Sequence, residues 1–122
     1  MKLILLKTNL KEGLDAVGRA TGENTNLPIL KNILIQSFNN QIKISATNLE
    51  LAISYLISGK IIEENSITVP AATIASLINN LIDERVNLET NGDSLIIKSD
   101  NYEAKIQGMN HEDFPILPQI KN

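Results

Sequence analysis

Cysteine is absent from this 122-residue sequence, and aromatic residues make up only 3% of it. The first absence excludes disulfides, thiolate nucleophiles and cysteine-ligated zinc. The second requires an aliphatic core of Ile, Leu and Val, for which a chain that is 43% apolar has sufficient material. No apolar run approaches membrane-spanning length, and the run at residues 3–6 is too short for a signal peptide. We therefore expect one compact cytoplasmic domain that has no contact with a membrane.

Groups that commonly perform catalysis are equally scarce. The only histidine is His111, and its neighbours Glu112 and Asp113 are adjacent in sequence, a spacing that rarely converges on one metal ion. No serine stands in a nucleophile elbow, and the glycines are too dispersed for a phosphate loop. Acidic pairs such as Glu63 with Glu64 are typical of solvated turns. The sequence thus predicts no catalytic residue, no metal site and no cofactor.

The net charge of −3 disfavours a nucleic-acid binder of the strongly basic kind. A protein that grips DNA by contact needs many cations to neutralise phosphates, whereas a protein that encircles DNA needs only a weak local field. The net charge therefore does not separate an encircling protein from one without any role at DNA.

One pattern occurs twice along the chain. Residues 41–53 read QIKISATNLELAI and residues 94–106 read SLIIKSDNYEAKI, so that Glu50 pairs with Glu103 at an offset of 53 residues (103 − 50). Each stretch follows a helical pattern, and each helical pattern follows a short apolar run. A repeated strand, helix and three strands is an internal symmetry that a typical small enzyme lacks.

We expect an α+β domain in which residues 1–60 and 61–122 are pseudo-repeats of one β-α-β-β-β unit. Two helices should lie on one side of about eight antiparallel strands. The strands are predicted at residues 2–7, 33–38, 42–46, 49–57, 67–69, 86–89, 95–99 and 102–107. Asn39 and Asn40 tolerate the positive φ of a tight turn, and Asn91-Gly92 is the strongest hairpin signal in the chain.

Two amphipathic helices are predicted from apolar residues that recur every three or four positions. Asn9 can cap the first helix, with Glu12 completing a capping box, and Gly22 is a plausible stop. Pro70 suits the first turn of the second helix. The apolar stripes are Leu10, Leu14 and Val17 in the first helix and Ile74, Leu77, Ile78 and Leu81 in the second. The opposite faces are polar but weakly charged, as ordinary solvated faces are.

Four motifs, in order and spacing, resemble a known family. They are NLPIL at residues 26–30, ATNLE at 46–50, TVPA at 68–71 and DFPILPQI at 113–120. Together they resemble the first domain of the bacterial sliding clamp, the beta subunit of DNA polymerase III, over nearly the whole chain. None of the motifs is decisive alone, but four in sequence with the duplicated pattern between them make coincidence improbable.

The resemblance implies a DNA-clamp fold and a non-catalytic role in replication. In that family three such domains form one chain, and two chains meet head to tail in a ring around duplex DNA, with helices lining the hole. The expected partners are duplex DNA, held by encirclement without sequence preference, and a second clamp subunit through its third domain. The polymerase and the clamp loader would bind through the second and third domains, which are absent from this chain.

The resemblance also suggests two sets of site residues. The DNA-facing candidates are Lys7, Lys11, Arg19, Asn24, Lys31 and Thr73. Family members often have basic residues at the positions of Asn24 and Ala72–Thr73, so this chain has lost cations there. Because a closed ring supplies a topological hold, encirclement depends less on those cations than direct gripping does.

The candidates for the subunit interface are Thr73, at the start of the second helix, and the final strand. The strand residues are Asn101, Tyr102, Glu103, Ala104, Lys105 and Ile106. Family members commonly place a bulky apolar residue with flanking arginines on this edge, whereas this chain has Ala104 between Glu103 and Lys105. Judged from the residues alone, such a charged edge discourages strand pairing.

Two alternatives to a clamp domain come from other classes of protein. The first is an interaction module that offers its sheet edges to a protein partner without nucleic acid. The second is a small hydrolase with an unrecognised site, for which a deep pocket with converging carboxylates would be diagnostic.

Overall fold

A computed structural model describes residues 1–21 and 27–115, which form two α-helices and nine strands in two antiparallel sheets. The elements in chain order are β1 (Lys2–Leu6), α1 (Lys7–Val17), β2 (Asn32–Phe38), β3 (Gln41–Thr47), β4 (Ala52–Ile57), β5 (Lys60–Glu63), β6 (Asn65–Pro70), α2 (Ala71–Asn79), β7 (Arg85–Asn91), β8 (Ser94–Ser99) and β9 (Tyr102–Gln107). The predicted α+β class is confirmed, with nine strands where about eight were expected. The additional strand is β5, whose four residues are too few to show an alternating pattern in the sequence.

The two sheets exchange their first strands. The five-stranded sheet has the order β5-β1-β7-β8-β9, and the four-stranded sheet has the order β4-β3-β2-β6. Thus β1 joins the three strands that follow α2, and β6 joins the three strands that follow α1. This reciprocal arrangement supports our proposal that residues 1–60 and 61–122 are two copies of one unit.

The two halves also correspond after their last strands, because the segment after β4 and the segment after β9 each pair with a first strand, β1 or β6. Strand β5 follows β4 and pairs with β1, on the side of β1 away from β7. Met109 follows β9 and forms an isolated antiparallel bridge with Thr68 of β6. The backbone N–H of Met109 donates to the carbonyl of Thr68 at 3.0 Å, and the hydroxyl of Thr68 donates to the carbonyl of Met109 at 3.1 Å.

The offset of 53 residues that relates the two repeated stretches does not hold over the whole of β3–β4 and β8–β9. It relates the first residues of β3 and β8, but four residues separate β3 from β4 whereas two separate β8 from β9. Glu50 therefore lies in a turn and Glu103 lies in a strand, so their proposed equivalence is wrong. The longer turn is held by Asn48, whose side-chain Oδ1 accepts hydrogen bonds from the N–H groups of Glu50 and Leu51 at 3.0 and 2.7 Å.

The predicted capping box of the first helix is also wrong. Helix α1 begins two residues before Asn9, with Leu6 at the N-cap and no side-chain cap. Asn9 instead donates to the Ser58 carbonyl at 3.5 Å, and Glu12 accepts from the Tyr55 hydroxyl at 2.6 Å. Both side chains are thus engaged by distant parts of the chain. A 3₁₀ turn at Gly18–Ala20 follows the helix, and Gly22 lies outside the described residues.

Both helices pack against each other on one side of the strands, as predicted. Their stripe residues are buried, except for Leu77, which is half-buried. One aliphatic cluster joins residues of both sheets and both helices, and each fully buried Leu or Ile contributes roughly 1.5–3 kcal/mol relative to exposure. Helix α1 lies so close to the four-stranded sheet that a Cβ on Gly13 would approach Ile57 to 2.8 Å.

The turn predictions were accurate to within one residue. Asn39 and Asn40 have φ values of 50° and 60°, as a type I′ hairpin requires. Gly92 has a φ of 60°, but the turn residues are Gly92 and Asp93, since Asn91 still pairs with Ser94. Within residues 1–21 and 27–115, no helix has the length and apolar character to cross a membrane.

Candidate functional site

The outward side of the two helices is the first candidate surface. Four exposed residues lie on the helices or on the 3₁₀ turn that follows α1: Lys11, Asp15, Arg19 and Thr73. The α-helices, with the 3₁₀ turns Gly18–Ala20 and Pro28–Lys31, contain four cations and two carboxylates in sequence. The rest of the sequence holds the other 7 cations and 12 carboxylates, so the net charge of −3 splits into +2 and −5. The helical elements are therefore more positive than the rest of the sequence.

Lys7 differs from the other DNA-facing candidates in its surroundings. It is half-buried, and its ammonium group donates a hydrogen bond to the carbonyl of Leu81. Its backbone N–H donates to the carbonyl of Glu84 at 2.7 Å. Lys7 thus fastens the start of α1 to the segment that follows α2.

Arg19 and Lys31 are brought together by the fold. Both line a groove of about 470 Å³ between α1 and α2, although 12 positions separate them in sequence (31 − 19). Thr73 is exposed on α2 but does not line this groove. Asn24, the remaining DNA-facing candidate, lies outside the described residues.

The second candidate surface is the edge of the five-stranded sheet. Strand β9 pairs with β8 on one side, and no other strand of the described chain pairs with it on the other. Asn101, Tyr102, Glu103 and Lys105 are exposed, Ala104 is half-buried, and the side chain of Ile106 lies in the core. The main chain of β9 is thus available for pairing, whereas the side chain of Ile106 is not.

The charges of this edge are partly neutralised within the chain. Lys98 of β8 lies 3.8 Å from the carboxylate of Glu103 and 3.4 Å from that of Glu89. Lys105 has no carboxylate within 4.0 Å among the residues that the structure describes. Because exposed pairs are worth at most about 1 kcal/mol, these contacts define the charge pattern of the edge more than its stability.

Ile82 is a surface residue that the sequence analysis did not identify. Its exposed fraction is 94%, against 63% for Leu49, the next highest among the exposed large apolar side chains. Residues 80–83 line a cavity of about 200 Å³ together with Ser99, Asn101 and Tyr102. The end of α2 and the segment after it therefore lie beside this edge. Thr73, at the start of α2, does not line the cavity. The sequence signal that could have identified Ile82 is its position just after the predicted end of the second helix, followed by Asp83 and Glu84.

The described residues provide no constellation for catalysis. Residues 1–21 and 27–115 contain no group of three or more His, Asp or Glu side chains placed to hold a metal ion. His111 is exposed in a 3₁₀ turn. Among the described residues that line the groove between the helices, Asp15 is the one carboxylate, and none of the others is a general-base partner for it.

Comparison with known proteins agrees with the fold. The profile of the family described as the DNA polymerase III beta subunit, N-terminal domain, matches residues 1–118. The beta sliding clamp of Chlamydia muridarum is 28% identical over 123 residues, covering 100% of this chain and 34% of the relative. The beta sliding clamp of Vibrio cholerae is 31% identical over 117 residues, covering 94% and 32%.

Solved structures give the same result. A protein from Eubacterium rectale described as a DNA polymerase III beta subunit superposes with a TM-score of 0.94 at 33% identity, covering 99% of this chain and 33% of that one. The beta subunit of Thermotoga maritima gives a TM-score of 0.91 at 26% identity, covering 98% and 33%. The chain spans about one-third of the length of the curated relatives it matches.

Proposed function

Because this chain belongs to the family of DNA polymerase III beta subunit N-terminal domains, we propose that it is the first domain of a sliding clamp. In this proposal it supplies one part of a ring that encircles duplex DNA and tethers the replicative polymerase. It acts in the cytoplasm, catalyses nothing and holds DNA by topology.

The observation that carries the proposal is the difference in charge between the helical elements and the rest of the sequence. The helical elements have a formal charge of +2 while the rest of the sequence has −5. A helical side with a few cations and short polar side chains attracts the duplex through water and diffuse electrostatics. Since such contacts do not read base edges, the duplex can slide past this side.

The edge strand β9 would join the second subunit. Its unpaired main-chain groups fit an antiparallel or parallel partner strand from the third domain of that subunit. Ile82 and Tyr102 lie beside this edge, and a partner would remove both apolar side chains from water. The Oγ of Ser99, buried without a hydrogen-bond partner within the described residues, lies in the same cavity wall and could pair with a polar group of the partner.

The polymerase and the clamp loader would bind the other domains of the ring. We therefore expect this chain alone not to bind their clamp-docking peptides tightly. Isothermal titration calorimetry that gave nanomolar binding would contradict this assignment.

Nuclear magnetic resonance tests which side of the domain meets DNA. The ¹⁵N-labelled chain is titrated at low salt with two unrelated duplexes of about 20 base pairs, a length that spans roughly two helical turns. We expect both duplexes to shift the same resonances, in α1, α2 and the neighbouring 3₁₀ turns. Shifts confined to the sheets, or no shifts at millimolar protein, would overturn the DNA-facing role of the helices.

An interaction module without nucleic acid is the second candidate. It is favoured by the apolar side chains near the free edge β4, since Leu51 and Leu56 are 48% and 55% exposed. The same titration separates the two functions, because an interaction module would give no shifts on the helical side.

A further inference from the structure

The tip of the β7–β8 hairpin presents an asparagine directly before a glycine. Asn91 is the only asparagine in the sequence that is followed by glycine, and both residues are exposed. Among residues 1–21 and 27–115, neither the side-chain amide of Asn91 nor the backbone N–H of Gly92 has a hydrogen-bond partner. The side chain of Asn91 is therefore free to rotate, and no hydrogen bond shields the nitrogen of Gly92.

The surroundings of Gly92 leave this nitrogen unhindered as well. A Cβ built on Gly92 would meet nothing within 4 Å. Asn48 and Asn110 differ, because the Oδ1 of each accepts hydrogen bonds from backbone N–H groups. Each is also followed by a residue with a bulky side chain, leucine or histidine. Asn91 thus combines a free amide with a neighbouring nitrogen that no side chain crowds.

We propose that Asn91 is a site of spontaneous deamidation. Asparagine is among the chemically labile residues of proteins. After a base removes its proton, the backbone nitrogen of Gly92 attacks Cγ of Asn91 and closes a cyclic succinimide. The side-chain nitrogen leaves as ammonia and takes its additional proton from water. This chemistry goes beyond the proposed function and does not depend on a role at DNA.

Water then opens the succinimide at one of its two carbonyl carbons. Breaking the bond between Cγ of residue 91 and the nitrogen of Gly92 gives an aspartate in an ordinary main chain. Breaking the bond between the main-chain carbonyl carbon and that nitrogen gives an isoaspartate, whose main chain runs through Cβ and Cγ and is longer by one carbon. In sum, one asparagine and one water give one acid and one ammonia. Either product adds one negative charge to the net charge of −3.

The hairpin slows this reaction without preventing it. Asn91 is the last residue of β7 and pairs with Ser94, so its extended backbone must rotate before Cγ can reach the nitrogen of Gly92. That rotation opens only the terminal pair of the ladder, and the ends of elements open at little cost in free energy. Asn87 of the same strand pairs with Ile4 on one side and with Lys98 on the other, so it is held more firmly.

An isoaspartate at position 91 would disturb the contacts that hold the chain where it leaves β9. The carbonyl of Asp93 accepts a hydrogen bond from the N–H of Gly108 at 2.8 Å. The Oγ of Ser94 donates to Oε1 of Gln107 at 3.1 Å. An additional main-chain carbon before Gly92 displaces both groups of the hairpin. The isoaspartyl form should therefore be less stable than the aspartyl form, which keeps the length of the main chain.

The test incubates the 122-residue chain at neutral and at alkaline pH and follows its tryptic peptide 86–98 by mass spectrometry. We expect the mass of this peptide to rise by the difference between a hydroxyl and an amino group. The rise should be faster at alkaline pH, because the deprotonated nitrogen of Gly92 is the nucleophile. Fragmentation of the peptide separates Asn91 from Asn87, which is an internal control and should keep its amide.

Gly92→Asn is the matched variant, because it crowds the attacking nitrogen while it keeps the turn. Asn39 has a φ of 50° at the corresponding position of the β2–β3 hairpin, close to the 60° of Gly92. Deamidation of Asn91 should be severalfold slower in this variant. An unchanged rate would overturn the attack by the nitrogen of Gly92.

The wild-type chain unfolded in guanidinium chloride gives the rate without the hairpin. If the unfolded chain loses the amide of Asn91 and the folded chain keeps it over the same period, the hairpin protects this residue and the proposal fails. The isoaspartyl form is separated by chromatography and identified by electron-transfer fragmentation. It should unfold at a lower temperature than Asn91→Asp, which carries the same charge in a main chain of ordinary length. Equal unfolding temperatures would exclude the loss of the contact between Asp93 and Gly108.

Discussion

The hydroxyl of Tyr55 donates a 2.6 Å hydrogen bond to Oε1 of Glu12 and so joins the edge strand β4 to helix α1. This bond raises the pKa of Tyr55 above its ordinary value of 10.0, because the ionised phenol could no longer donate and would face a carboxylate. The contact therefore stabilises the fold while the phenol is neutral. It links helix α1 to the four-stranded sheet at a position where neither residue is in the core.

The first prediction follows from the sign of that shift. The folded chain holds the Tyr55 proton more tightly than the unfolded chain, so the stabilisation is present below pH 10 and is lost as pH rises through the folded pKa. We expect urea unfolding at pH 9 and at higher values to show a decline in stability that is shallower in Tyr55→Phe. Parallel pH profiles for the two proteins would contradict the role of this hydrogen bond.

The second prediction concerns two glycines in opposite environments. A Cβ on Gly108 would lie 2.3 Å from the carbonyl oxygen of Thr68 and 2.7 Å from that of Asp93. Both are backbone atoms, so Gly108→Ala should destabilise the fold by about 1–3 kcal/mol or more. At Gly18 a Cβ meets nothing within 4 Å and the backbone is helical, so Gly18→Ala should be neutral or stabilise by about 0.4–1 kcal/mol. Thermal and urea unfolding measure both, and equal effects would be inconsistent with this packing.

The third prediction concerns the charged edge of the five-stranded sheet. Glu103 and Lys105 are exposed on β9, and charged side chains on an edge strand oppose pairing between copies. The wild-type chain should be monomeric at micromolar concentration, and Glu103→Val/Lys105→Val should self-associate. Sedimentation velocity measures this, with Lys11→Ala/Asp15→Ala as a control that removes one charge of each sign from the helical side. A tight dimer of the wild-type chain would refute the prediction.

The fourth prediction tests Ile82 as an interface residue. A chimera places this chain in the position of the first third of the Vibrio cholerae relative, which it matches at 31% identity. We expect the chimera to dimerise and Ile82→Asp to weaken the dimer about 30-fold, as loss of an interface hot spot of about 2 kcal/mol would. Ile62→Asp, at a side chain 47% exposed on β5, is the matched control. A chimera whose association is unaffected by Ile82→Asp would exclude this residue from the interface.

Ile82→Asp should not alter the folding of the isolated chain, because the Ile82 side chain is 94% exposed. Surface substitutions of this kind usually change stability by less than about 0.5 kcal/mol. Thermal unfolding of the variant is therefore an internal control for the association experiment.

The sequence by itself determined the aliphatic core, both helical stripes, most strands and, through four short motifs, the family. These features depend on local periodicity or on residues close together in the chain, as with the positive φ of Asn39 and Asn40. Two of the six DNA-facing candidates, Arg19 and Lys31, are brought to one groove. Their common location could not be derived from sequence spacing, since it depends on how α1 packs beside α2.

The tertiary structure alone decided which distant groups meet. Asn9 and Glu12 have the sequence of a capping box, but Ser58 and Tyr55 bind their side chains instead, because a partner in the folded chain competes with the helix end for each polar group. Strand β5 forms because β1 has an edge with which it can pair. Ile82 is exposed because α2 ends at Asn79, before Ile82. Such outcomes depend on contacts across tens of residues, and no local pattern of side chains encodes them.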